Sequence, residues 1–397
     1  MRIGLDLQVL NDDHRTGIGN YAFNLVRELL NLESGHEFIL FTPQGITSPN
    51  PSSRGGAGEV KVVTLPGKKI PFYDAHARFA KIIEKENLDV FHGVANTIPL
   101  GLKGWNGGKG SKAVITVHDL AIYKHPEWFP SGQWFSKNIV VPRSIQKADR
   151  IIVPSETTKQ DLQELFQVGE DKIVVVPMGV EERFFRANAN GEPHPNPLLG
   201  KEREAKKCIL FVGTVEPRKN IQRLIEAYEG VPEDLKQGYE LWIVGNNPLN
   251  PPYLKGEGIR VLDYVADEEL PGLYQNASLF VYPSLYEGFG LPVLEALASG
   301  VPVVTSKDSP MAEAAGDTAI LVDPYSVEEI REGIMKSIPA RLASESVAGR
   351  RDDAYVSEKM GVKGGRGEMG ARGVIRAREY SWERTARETM RVYESLK

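Results

Sequence analysis

The chain has 397 residues, more than one ordinary hydrophobic core holds, so two domains are expected. Its 41% hydrophobic, 25% charged and 8% aromatic content is that of a globular protein, and a net charge of -5 excludes a general nucleic-acid binder, which needs many Lys and Arg contacts to phosphate. The single cysteine, Cys208, excludes an intramolecular disulfide or a CxxC site and points to a reducing compartment, with Cys208 itself a small buried apolar residue. No run of about 18 apolar residues is present to span a bilayer. The first strand starts at Arg2 with no charged leader before it, so cytoplasmic residence is expected, with peripheral contact at the inner face of the membrane left open.

Short apolar runs alternate with amphipathic stretches, which predicts βα units stacked into a parallel sheet with helices on both faces. The first series has strands at 2–7, 37–42, 60–65, 89–92, 113–118, 150–154 and 172–177, separated by helical patterns such as 21–30, 75–86 and 156–166. Residues 186–207 turn polar, with Asn190-Gly191 and several prolines, and read as a linker. A second series follows at 208–213, 240–245, 258–262, 279–283, 302–305 and 318–322. Residues 361–373 carry six glycines among basic residues and read as a flexible loop. A final helix is expected from Ser381, its N-cap, to Leu396. The division is therefore a first α/β domain at 1–185, a linker at 186–207, a second α/β domain at 208–379 and a last helix within 380–397.

The segment Ser284-Leu285-Tyr286-Glu287-Gly288-Phe289-Gly290-Leu291-Pro292-Val293-Leu294-Glu295 runs from a strand through a glycine turn into a helix. Gly288 and Gly290 free the backbone to aim N–H groups at a ligand, and Pro292 fits a first helical turn, where its missing donor costs nothing. Glu287 can reach hydroxyls of a ligand, while Glu295, inside the helix, can accept from a vicinal diol such as a ribose. Either glutamate alone reads as a solvated residue or a partner of the helix dipole; the pair around a Gly-x-Gly turn is far more restrictive.

Directly after the first strand of the second domain comes Gly213-Thr214-Val215-Glu216-Pro217-Arg218-Lys219-Asn220. In a doubly wound sheet the carboxyl ends of the strands line the ligand crevice, so Arg218 and Lys219 are placed for a diphosphate, one as a planar fork and one as a compact charge. In the first domain Gly17-Ile18-Gly19-Asn20-Tyr21 opens a helix, and its glycines allow close approach to phosphate or sugar or, equally, tight packing. His118 ends a strand where an imidazole can donate to a sugar hydroxyl, and His92 has a weaker claim of the same kind. The aromatic stretch Tyr123, Trp128-Phe129 and Trp134-Phe135 reads as core slightly better than as an acceptor- or membrane-facing surface. No D-x-D triplet and no His or Cys cluster with metal-ligand spacing occurs, so neither a metal nor a cofactor is expected.

These motifs, with Val117-His118-Asp119-Leu120, His125-Pro126-Glu127-Trp128-Phe129-Pro130, Val153-Pro154-Ser155 and Val176-Pro177-Met178-Gly179-Val180, resemble those of glycosyltransferase family 4 (GT4), and within it the bacterial mannosyltransferase B type. The resemblance implies the GT-B fold, α/β with two Rossmann-like domains facing across an interdomain cleft, and a last helix that packs back on the first domain. It implies a retaining, metal-independent transfer of a hexose from a nucleotide-diphosphate sugar to a glycan or lipid-linked acceptor in cell-surface polysaccharide synthesis, with mannose from GDP-mannose as the family's lean. By the same carry-over Glu295 binds the ribose, Arg218 and Lys219 the diphosphate and Glu287 the transferred sugar. Backbone groups around Gly213, Gly288, Phe289, Gly290 and Leu291 meet sugar and phosphates, Val265 marks the base, His118 contacts the sugar, and Gly17 and Gly19 close on the phosphates. The competing readings are a silent nucleotide-sugar-binding subunit of an assembly complex and another enzyme of the same architecture, such as a nucleotide-sugar epimerase.

Overall fold

A computed structural model describes residues 1–10, 17–43, 59–65, 79–99, 111–129, 131–185, 207–247, 251, 254–338 and 366–397. Most of the expected linker lies outside these residues, as do 75–78 of the expected second helix. The described chain divides into two compact units, Met1–Gly179 with Ser381–Lys397, and Val180–Tyr380.

In the first unit seven described strands form one parallel sheet: β1 (Arg2–Asp6), β2 (Glu37–Pro43), β3 (Val60–Leu65), β4 (Val90–Gly93), β5 (Lys112–Thr116), β6 (Arg150–Val153) and β7 (Ile173–Val175). Their order is β3-β2-β1-β4-β5-β6-β7. The central strands are buried on both faces, as their continuous apolar runs require. Helix α1 (Gly17–Asn31) buries Tyr21, Ala22, Leu25, Val26, Leu29 and Leu30, a helical stripe. Helix α2 spans Val141–Lys147, and α3 (Glu156–Phe166) starts where the Ser155 side chain accepts from the Thr158 N–H and ends at Gln167 in the left-handed conformation.

The second unit has six described parallel strands: β8 (Lys207–Val212), β9 (Tyr239–Val244), β10 (Ile259–Leu262), β11 (Ala277–Tyr282), β12 (Val303–Ser306) and β13 (Ile320–Val322). Their order, β10-β9-β8-β11-β12-β13, is the doubly wound arrangement, and the strand order reverses between β8 and β11. The helices that matter for the site are α4 (Ile221–Glu229), α5 (Leu270–Asn276), α6 (Leu291–Ala298), α7 (Pro310–Ala315), α8 (Val327–Ser337) and α9 (Arg366–Ala377). All thirteen strands fall where the apolar runs predict them, within one or two residues at their ends. Cys208 is buried and its thiol unpaired, in keeping with its expected apolar role.

Helix α10 (Trp382–Glu394) belongs to the first unit and packs on α1. Its cap is Ser381, whose side chain accepts from the Arg384 N–H at 3.1 Å. Ion pairs Arg384–Glu388 and Arg387–Glu383 lie along its exposed side, while Trp382, Ala386, Met390 and Tyr393 are buried.

The glycine-rich stretch departs from expectation. Residues 361–365 lie outside the described residues, but from Arg366 onward the chain is helix α9, not a loop. The reason is close packing: a Cβ on Gly370 would lie 2.4 Å from the Gly300 carbonyl oxygen, and one on Gly373 would lie 2.9 Å from Leu297 Cδ2. Here glycine lets α9 approach the end of α6, a gain from packing that outweighs its low helix propensity.

Candidate active site

The point where strand order reverses in the second sheet brings two of the predicted motifs together. The carboxyl end of β8 feeds Gly213 and a short 3-10 turn, Pro217–Lys219, and the carboxyl end of β11 feeds Ser284 to Gly290. The two loops are joined directly, the Leu285 N–H donating to the Arg218 carbonyl at 2.8 Å. Asn220 locks the turn. It sits at φ 58°, donates from its buried amide to the carbonyls of Pro283 (3.0 Å) and Pro324 (2.6 Å), and accepts from Arg223 at 2.9 Å. Asparagine tolerates that backbone conformation because its short amide hydrogen-bonds locally.

At the centre of this junction Glu287 is held by both cations. Arg218 Nη1 donates to Glu287 Oε2 at 2.7 Å, and Lys219 Nζ donates to Oε1 at 2.5 Å. Ser284 Oγ adds a hydrogen bond to Oε1 at 2.8 Å, and Arg218 Nε reaches the more exposed Glu216 at 2.8 Å. The side chains of Lys219 and Glu287 are only 8% and 12% exposed, so this is not a solvated basic pair. Burial alone would raise the Glu287 carboxyl; the charges of Lys219 and Arg218 overcome it and bring the group down to about 2. Burial pulls the Lys219 ammonium down from its ordinary value, against the charge of Glu287. Arg218 and Lys219 share the buried Glu287 carboxylate, and the more exposed Glu216 balances the second cation from the side of Arg218.

The remaining predicted residues of this unit sit around the junction. Gly290 caps α6 at φ 115°, and a Cβ there would lie 2.8 Å from Met311 Cγ, so glycine is required twice over. Gly288 and Phe289 are buried, and Phe289 meets the Tyr380 ring edge-on at 5.9 Å; Leu291 and Pro292 open the helix half-buried. Glu295, one turn further, accepts from Tyr274 Oη on α5 at 2.9 Å. Burial raises its carboxyl to about 8, only partly offset by the Tyr274 hydrogen bond and the charge of Arg183, so it carries a proton at neutral pH. Val265 is buried in the loop after β10, and Arg183 ties that loop in place through the Asp267 carbonyl at 2.7 Å.

The predicted residues of the first unit have different surroundings. His118 is buried, its Nε2 bonded to the Val94 carbonyl at 2.7 Å and its backbone N–H to Asn96 Oδ1 at 2.8 Å. Burial brings the imidazole down to about 4, so it is neutral. With Nε2–H spent on Val94, the buried Nδ1 has no partner among the described residues and is an acceptor. The ring nitrogen left over is thus an acceptor, where a donor was expected. Gly17 is the first residue of α1, and a Cβ there would meet nothing within 4 Å, so packing of the described chain does not demand the glycine. Gly19 is buried two residues on.

His92 loses its claim on a ligand. It bridges Tyr393 Oη (Nδ1, 2.6 Å) and Thr116 Oγ1 (Nε2, 2.8 Å), and Thr116 in turn bonds Tyr21 Oη at 3.0 Å. Both ring nitrogens are used, which makes it a structural bridge from the sheet to α10. The aromatic stretch is also corrected. Trp134 and Phe135 are 64% and 39% exposed, and Trp128 lies half-buried in a stack on His125 at 3.9 Å, so these are surface, while Tyr123 packs on the core with its ring edge-on to Phe166 at 4.9 Å.

Motif reading missed Tyr282, Tyr274 and Arg183, and gave Ser284 and Asn220, though inside the quoted segments, no role. A tyrosine closing a fully apolar strand immediately before the Glu287 loop was the available signal for Tyr282, since a buried phenol needs a partner. Among the described residues no three His, Cys, Asp or Glu side chains form a metal-ligand set, and no helix is long and apolar enough to cross a membrane.

Comparison with known proteins agrees with this architecture. Residues 15–184 match the family described as Glycosyltransferase Family 4, and residues 200–345 match Glycosyl transferases group 1. The chain is 30% identical over 403 residues to an O-antigen chain mannosyltransferase B of Escherichia coli, covering 96% of each chain. Among solved structures it is similar to a sucrose-phosphate synthase of Thermosynechococcus elongatus (TM-score 0.69, 19% identity, 100% of this chain and 98% of that one). It is also similar to WaaG, a glycosyltransferase involved in lipopolysaccharide biosynthesis (TM-score 0.64, 16% identity, 96% and 95%). The two parallel sheets with their helices are the GT-B fold.

Proposed function

The chain belongs to the family 4 glycosyltransferases, and on that premise we propose that it moves mannose from GDP-mannose to a glycan or lipid-linked acceptor in cell-surface polysaccharide synthesis, with retention of anomeric configuration and without a metal ion. The mannosyltransferase B of Escherichia coli, matched over nearly its whole length, supports the sugar and the pathway class. The observation that carries the chemistry is the buried cluster of Arg218, Lys219 and Glu287 at the switch point of the second sheet.

In this reading the bond between the anomeric carbon and the diphosphate oxygen breaks, the acceptor oxygen bonds to the same face of that carbon, and its proton passes to the departing diphosphate. Negative charge grows on the leaving group, and Arg218 and Lys219 stabilise it from a site already desolvated. That role needs no divalent ion, so EDTA leaves the rate unchanged. Glu287 orients the sugar hydroxyls, Glu295 the ribose diol, and the Val265 loop the base; His118, as an acceptor, takes a hydrogen bond from the sugar, while Gly17 and Gly19 leave room for the phosphates. The first unit docks on the membrane that carries a lipid-linked acceptor, a reading supported by exposed Trp134 and Phe135 and by Lys137, Arg143 and Lys147, with no acidic residue between 132 and 147.

The test is transfer of radiolabelled mannose from GDP-mannose, with other nucleotide sugars run in parallel. Arg218→Ala is expected to lower kcat by about 10²–10³-fold, the usual cost of removing a preorganised group that stabilises transition-state charge. Near-wild-type transfer by Arg218→Ala and Glu287→Gln alike would sink the assigned site, and transfer only from a uridine donor would sink GDP-mannose.

A further inference from the structure

The hydroxyl of Tyr282 lies between the two charged groups of the cluster. Tyr282 is the last residue of β11 and fully buried. Its Oη accepts from Lys219 Nζ at 2.5 Å, which commits its own proton elsewhere, and the available acceptor is Glu287 Oε1 at 3.1 Å. The ring has little freedom. It stacks between Phe211 (5.5 Å, 25°) and Phe280 (5.7 Å, 17°), Lys219 Nζ sits over its face at 5.1 Å, and its carbonyl accepts from Thr305 Oγ1 at 2.9 Å. A phenol held this way is a fixed point on a rigid strand, whereas Lys219 has four rotatable bonds and Glu287 sits in a loop.

We propose that Tyr282 is a positioning residue for the transfer reaction, its hydroxyl fixing the distance between the cation that faces the leaving group and the carboxylate that faces the sugar. The proposal rests on the reading of the cluster given above. Without the hydroxyl, Lys219 loses one of its two buried acceptors and Glu287 one of its donors, so the pair survives but its geometry relaxes. A loosened pair still binds the donor through Arg218 and the backbone of the Glu287 loop. It loses its best arrangement at the moment charge develops, which places the effect on kcat and not on KM.

Tyr282→Phe keeps the ring, the stack and the cation over its face, so the variant is expected to fold with an unchanged circular dichroism spectrum. With GDP-mannose its kcat should fall about tenfold while the donor KM stays within twofold. In a Lys219→Gln background the same substitution should cost less than twofold, because no cation remains to be positioned. Equal losses in both backgrounds, or a loss confined to KM, would overturn the proposal. A second readout does not depend on turnover. Acylation of Lys219 by an amine-reactive ester, followed by mass spectrometry with exposed Lys336 as internal reference, should rise at least threefold in Tyr282→Phe. Unchanged protection of Lys219 would overturn the positioning role even if transfer were affected. If wild-type protein transfers nothing from GDP-mannose while the acylation rate still rises, the donor assignment fails and the positioning role stands.

Discussion

Each unit buries a polar network at the carboxyl ends of its strands, and the two networks are built on opposite electrostatic terms. In the first unit Tyr393, His92, Thr116 and Tyr21 form a chain of hydrogen bonds in which every group is neutral, and burial holds His92 down to about 3. In the second unit Arg218, Lys219 and Glu287 are charged and only partly open to solvent. A neutral network satisfied inside the protein stabilises a fold at little electrostatic cost. A buried ion cluster is a poor stabilising device, because desolvation takes back much of the Coulomb gain. On the function proposed above, its presence at a switch point is accounted for by the diphosphate it meets there.

The largest effect that separates the two networks should come from removing one partner in each. Glu287→Ala leaves Lys219 buried without a counter-charge and is expected to cost about 3–5 kcal/mol, in addition to its effect on transfer. Tyr393→Phe removes one neutral hydrogen bond and should cost about 1 kcal/mol. Denaturant unfolding followed by near-ultraviolet circular dichroism compares them. Equal costs would mean that the charged cluster is as internally satisfied as the neutral one and would remove the argument that it waits for an anion.

The next effect is of opposite sign in the two units. A folded pKa below the unfolded value means the unfolded chain binds more protons, so His92, at about 3, and His118, at about 4, lose stability as pH falls below about 6.5. Glu295, raised by burial to about 8, does the reverse: it stabilises below the ordinary glutamate range and loses that contribution as pH rises through 8. Asp6, pushed up to about 6 by burial, opposes the histidines only below that pH, and Glu287, at about 2, is silent in this window. Between pH 5 and 6.5, amide-exchange protection corrected for intrinsic rate should therefore fall on acidification in the first sheet and rise in the second. His92→Phe should flatten the first trend and Glu295→Gln the second. Parallel trends in both sheets would show that the two buried carboxyl and imidazole environments do not differ as described.

The contrast also explains what could be read in the sequence. Strands show because period and apolar content are local properties, and the glycine turn with Glu287 and Glu295 shows because it is contiguous. Arg218 and Lys219 are legible as cations near a strand end, but their engagement by Glu287 joins residues 68 and 69 positions apart, which only the sheet order brings together. Tyr282 acts through the same non-local geometry and carries no motif of its own, and Asn220, though it ends the basic motif, locks the turn through Pro283 and Pro324, which sequence spacing does not reveal. His92 misleads for the converse reason: a strand-end imidazole looks exposed to ligand until α10, 301 residues later, covers it with Tyr393. Trp134 and Phe135 mislead because composition cannot tell a core aromatic from a surface one.

The smallest effect concerns the glycines that read as a loop and form helix α9. At Gly370 the added Cβ would meet the Gly300 carbonyl oxygen, a backbone atom that cannot turn aside, whereas at Gly373 it would meet the end of the Leu297 side chain, which can. Both substitutions gain about 1 kcal/mol from helix propensity, since alanine is the better helix former. At Gly370 that gain is outweighed by overpacking of about 1–3 kcal/mol, while at Gly373 a rotamer change in Leu297 offsets most of the crowding. Gly370→Ala should therefore lower the melting temperature and Gly373→Ala raise it slightly, with neither altering donor KM, because the added Cβ atoms meet Gly300 and Leu297 and not Glu295. If Gly370→Ala did not lower it, α9 would not be held against α6 by backbone contact. A rise in donor KM with either substitution would instead show that the position of α6, and with it Glu295, is set from behind by this glycine face.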